Sequence, residues 1–82
     1  MNTPEQVRDF LLPTLFDVFG QSNINAEIIA EGKHLIIKAS KRGNEDSPLG
    51  FAITENSIKD GTYRFSFRPS CEFLKEIIDN GH

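Results

Sequence analysis

Residues 25–41, NAEIIAEGKHLIIKASK, alternate between apolar and polar positions on both sides of Gly32. Side chains of a strand point to opposite faces in turn, so this pattern predicts two strands joined by a tight turn. Gly32 at the first turn position and Lys33 at the second suit a type II′ hairpin. That turn sets the register: Glu31 faces His34, Ala30 faces Leu35, Ile29 faces Ile36, Ile28 faces Ile37, Glu27 faces Lys38, Ala26 faces Ala39 and Ile24 faces Lys41. One face then carries Ile24, Ala26, Ile28, Ala30, Leu35, Ile37 and Ala39. The other carries Glu27, Ile29, Glu31, His34, Ile36, Lys38 and Ser40. A slip of one residue would send charges into the core, which makes this register the stable one.

Upstream, Thr3-Pro4-Glu5-Gln6 has the form of a helix start: a capping Thr, Pro at the first helical position and Gln to complete a capping box. Val7, Phe10, Leu11, Leu15, Val18 and Phe19 follow at helical spacing, and Gly20 is a natural stop. Pro13 predicts a kink or a split into two short helices. Leu12 and Phe16 widen the apolar arc beyond that of an ordinary surface helix. Such a helix is clamped on two sides within the chain or meets a second copy of it.

Downstream, the polar segment 42–50 reads as a mobile connector. Residues 51–55 read as a third strand, and residues 62–68, TYRFSFR, as a fourth. Asp60-Gly61 suits a hairpin turn between them. A strict turn there pairs Ile58 with Tyr63 but turns Phe51 and Ile53 to the opposite face, whereas a bulge near residues 56–57 restores phase. Both arrangements remain open. Pro69 ends the strand, and Ser70 caps a last helix with Phe73, Leu74, Ile77 and Ile78 on one stripe. The expected order is α-β-β-β-β-α: a single α+β domain over residues 1–82, a four-stranded antiparallel meander with the N- and C-terminal helices packed on one face.

Composition adds three constraints. Seven Phe in 82 residues are expected to dominate the core. One cysteine, Cys71, allows no disulfide within the chain, and neither a signal peptide nor a membrane-length apolar run is present, so a cytoplasmic protein is expected. The net charge of −3 speaks against strong, non-specific nucleic-acid binding. The charge is also divided. The expected helices carry Arg8 and Lys75 against Glu5, Asp9, Asp17, Glu72, Glu76 and Asp79, a net of −4, which leaves the middle of the chain at +1.

Chemistry is sparse. His34 has no histidine neighbour in sequence, and the other, His82, is terminal. Cys and His together number three, short of the four ligands of a structural zinc site. Glu45-Asp46 lies in a Gly-containing loop with nothing to fix its separation, as acid–base work requires. Glycines do not cluster into a phosphate-binding loop. No catalytic residue, metal or cofactor is therefore expected. The expectation is a small non-enzymatic interaction module, a regulator, inhibitor or adaptor, that binds another protein or a second copy of itself. Its docking surface would be the uncovered sheet face, with Ile29, Ile36, Lys38, Arg64 and Arg68. The alternative is a weak nucleic-acid-associated protein using Lys38, Lys41, Arg42, Arg64 and Arg68. In that alternative the cations contact phosphate only, because alternation sends Tyr63, Phe65 and Phe67 to the face opposite the arginines.

Overall fold

The computed structural model describes residues 3–81; His82 lies outside them. In chain order the elements are α1 (Pro4–Phe19), β1 (Ile24–Glu31), β2 (His34–Lys41), β3 (Leu49–Ile53), α2 (Glu55–Asp60) and α3 (Tyr63–Asp79). The fold is α+β, with a three-stranded antiparallel sheet in the order β1-β2-β3 and helices at both ends.

The β1–β2 hairpin has the register its alternation predicts, from Ile24 opposite Lys41 to Glu31 opposite His34. Gly32 takes φ 62°, and no non-glycine residue has a positive φ among the described residues. A type I′ turn would require one at Lys33, so the type II′ geometry fits. β3 extends the same alternation across β2: Leu35 faces Ile53, Ile37 faces Phe51 and Ala39 faces Leu49. Ile24, Ile28, Leu35, Ile37, Ala39 and Ile53 are buried beneath the helices.

α1 starts as expected. Thr3 accepts from the Gln6 N–H and the Gln6 side chain answers to the Thr3 N–H. Such caps stabilise a helix by about 0.5–2 kcal/mol. The helix runs unbroken through Pro13, so the expected split does not occur. It buries Val7, Leu11, Leu15, Val18 and Phe19, and lies chiefly over β1.

The second half departs from expectation. Among the described residues there is no fourth strand: Thr62 is the N-cap of α3, residues 63–68 are its start, and Ser70 lies inside that helix rather than at its cap. Tyr63, Phe67, Cys71, Leu74 and Ile78 form one buried stripe spaced by four, four, three and four residues. That helical spacing runs through both of the expected elements and buries more than the short alternation in TYRFSFR could. Pro69 is tolerated within the helix because the carbonyl it leaves unpaired, that of the exposed Phe65, can be hydrated. Asp60-Gly61 is the end of α2 rather than a hairpin turn. Gly61 sits at φ 81° and its N–H donates to the Ser57 carbonyl.

The phenylalanines do not dominate the core. Phe19 and Phe67 are buried and Phe51 is half-buried, but Phe10, Phe16, Phe65 and Phe73 are 50%, 65%, 82% and 66% exposed. α3 lies beside α1 and over β2 and β3, so α1 and α3 together cover one face of the sheet.

Candidate functional site

The face turned away from α1 and α3 is built in rows by the register. Ile29, Ile36 and Ala52 form one apolar row across all three strands. The next row is Glu27, Lys38 and Gly50, and at the turn end Glu31 faces His34. Ile29 and Ile36 are half-buried by their own neighbours, while Lys38 and Ala52 are exposed. This chain's helices do not cover them, because the alternation that buries Ile28 and Ile37 turns Ile29 and Ile36 the other way.

Lys38 stands between two depressions. One, of about 360 Å³, is lined by residues that include Asn25, Ala26, Glu27, Lys38, Glu45 and Pro48, and its surface is mixed polar and apolar. The other, of about 380 Å³, is lined by Ile36, Lys38, Pro48, Leu49, Gly50 and Ala52, and is mostly apolar. Pro48 borders both, so the 42–48 loop forms a rim of this face.

The rim is held in place. Arg42 Nε donates to Asn25 Oδ1 (3.2 Å), and Asn25 Nδ2 donates to Glu45 Oε2 (3.1 Å). The Gly43 N–H donates to the same carboxylate oxygen (3.1 Å). The loop expected to be a mobile connector is thus tied back to β1. Glu45 anchors the turn, which accounts for its carboxylate without catalysis. Its role was not readable in sequence, since the partner Asn25 is 20 residues away.

Arg64 and Arg68 do not join this face. Both project from α3, in the other layer. The Arg64 guanidinium lies 5.8 Å from the centres of the Phe10 and Tyr63 rings, a cation–π arrangement. Arg68 Nη2 donates to Asp17 Oδ2 at 2.6 Å, and this carboxylate holds the guanidinium more firmly protonated. Their departure follows directly from the missing fourth strand. It also takes from the sheet the slight positive excess expected of it. Of the five cations of the nucleic-acid alternative, Lys38, Lys41 and Arg42 remain at the sheet, and Arg42 is engaged with Asn25.

Other candidate chemistry falls away from this face. Cys71 is buried in the core, and burial pushes its thiol up to about 12. No group of three or more His, Cys, Asp or Glu side chains is placed to hold a metal ion among the described residues. No helix among them is long and apolar enough to cross a membrane. What the sheet face offers is an aliphatic row beside one ammonium group, a surface for apolar contact with one charge-assisted hydrogen bond.

Sequence reasoning missed the second unusual surface, the exposed phenylalanines of α1 and α3. The signal was present in part as the over-wide apolar arc of α1. On α3 it was hidden, because Phe65 counted as a core residue of a strand. No protein-family model, no curated protein and no solved structure matches this chain.

Proposed function

We propose that this chain is a small non-enzymatic interaction module whose partner protein docks on the open sheet face. Ile29, Ile36 and Ala52 supply the apolar contact, and Lys38 binds a carboxylate of the partner beside it. The observation that carries this reading is the apolar row left outside the helical layer, flanked by a cation and bordered by an anchored loop. Antiparallel sheets commonly leave a face to water. What favours docking here is the row of apolar side chains spanning all three strands, with depressions on both sides of Lys38.

Arg64 and Arg68 belong to a different surface in this reading. A cytoplasmic setting is proposed with it, because Cys71 is the only cysteine and is a buried free thiol.

The test is co-purification from the native cell with wild-type and Ile29→Asp/Ile36→Asp baits. Both positions lie outside the core, so the double variant keeps its circular dichroism spectrum. It is expected to lose the proteins that the wild-type chain retains. Retention of the same proteins by a folded double variant removes this face as the docking surface.

A further inference from the structure

The solvent side of α3 carries a second feature that the sheet face does not explain. Phe65, Pro69 and Phe73 are spaced four residues apart, so they follow one exposed stripe along the helix. The two phenylalanines are 82% and 66% exposed, an unusual cost for a chain this small. The charges beside the stripe change sign along the helix. Arg64 and Arg68 accompany its first half, Glu72 and Glu76 its second, and all four are exposed. Lys75, which breaks the sequence pattern, is half-buried and lines a depression with Phe16, Asp17 and Val18 of α1. It is therefore turned toward α1.

We propose that two copies of this chain pair through α3, antiparallel, about a twofold axis near Pro69. In such a pair the same border of each helix meets, and residues equidistant from Pro69 come together. Phe65 then packs against Phe73 of the second copy. The border row reverses about residue 70, one residue from Pro69, so Arg64 comes beside Glu76 of the second copy and Arg68, already held by Asp17, beside Glu72. A parallel pair would bring opposite borders together and set this charged row against the border of Ser66 and Ser70, so the charges would go unmatched. A foreign partner would impose no relation between the two halves of one helix. Reversal of charge about a single point, on a stripe with an aromatic at each end, is what self-pairing requires.

Arg64 and Glu76 are available for it, whereas Arg68 is held by Asp17 of its own chain. Among the described residues neither Arg64 nor Glu76 makes an ion pair within its own chain. Arg64 is instead stacked near Phe10, which is half exposed beside the stripe and adds to the apolar surface. The α3 surface lies on the opposite layer from Ile29 and Ile36, so pairing leaves the sheet face free.

Sedimentation velocity from low micromolar to near-millimolar concentration tests this. The wild-type chain is expected to show a monomer–dimer equilibrium, and Phe65→Glu is expected to weaken it at least tenfold or so, as for a buried aromatic anchor. Arg64→Glu should weaken it as well, and Arg64→Glu/Glu76→Arg should restore it. Pro69→Cys should give a disulfide-linked dimer on mild oxidation, with the wild-type chain and its buried Cys71 as the control. A monomer at all concentrations overturns the proposal, as does a dimer indifferent to Phe65→Glu. Failure of the double charge reversal to restore pairing, or of Pro69→Cys to cross-link in a chain that dimerises, overturns the antiparallel arrangement.

Discussion

Arg68 Nη2 lies 2.6 Å from Asp17 Oδ2, joining α3 to α1 across 51 residues of sequence. This contact places Arg68 in the helical layer, away from the sheet face. Both side chains are substantially exposed, so the pair is a weak clamp. Arg68→Ala should lower stability only slightly, and the loss should shrink at high salt. Urea denaturation at two ionic strengths checks this. Partner capture through the sheet face should be unaffected.

Gly50 makes a sharper demand. A Cβ built on it would lie 2.0 Å from the Ile37 carbonyl oxygen, which belongs to the backbone of β2 and cannot move aside. Its backbone φ is not positive, so the constraint is space rather than conformation. Gly50→Ala should push β3 away from β2 and cost about 1–3 kcal/mol. Thermal unfolding reads the loss. Amide exchange should show the loosening at residues 49–53 before β1.

The first half of the chain was legible because each local signal agreed with the next. The Thr3 cap, the helical spacing to Phe19, the Gly32 turn and the two alternating strands all point to one arrangement. β3 was found two residues late, since Leu49 and Gly50 sit next to loop residues. Beyond Thr54 the signals conflicted. Seven residues of alternation in TYRFSFR favoured a strand, and Pro69 looked like its end. The competing stripe of Tyr63, Phe67, Cys71, Leu74 and Ile78 emerges only when Pro69 is allowed inside a helix. The cap at Thr54, whose hydroxyl accepts from the Ser57 N–H, was also readable and would have signalled α2. The candidate site divided in the same way. Ile29, Ile36 and Lys38 come from the legible hairpin and lie together; Arg64 and Arg68 come from the misread segment and do not.

Cys71 gives a pH-dependent prediction. Its thiol is buried and pushed up to about 12 in the folded chain, against 9.0 for an ordinary thiol. Between those values the unfolded chain releases a proton that the folded chain keeps. Stability should therefore fall as pH rises from about 9 toward 12, with no contribution to the slope below that window. Guanidinium denaturation of wild type and Cys71→Ala across the range isolates the effect as the difference between the two slopes. At neutral pH, labelling of Cys71 by a thiol reagent should proceed at the rate of structural opening rather than at that of a free thiol.

Side-chain footprinting by hydroxyl radicals, on the chain alone and in complex with its co-purified partner, addresses the docking surface most directly. Protection at Ile29 and Ile36 on complex formation is the predicted result, with Phe65 and Phe73 unchanged relative to the same self-associated state. Unaltered oxidation of Ile29 and Ile36 in the complex contradicts the account.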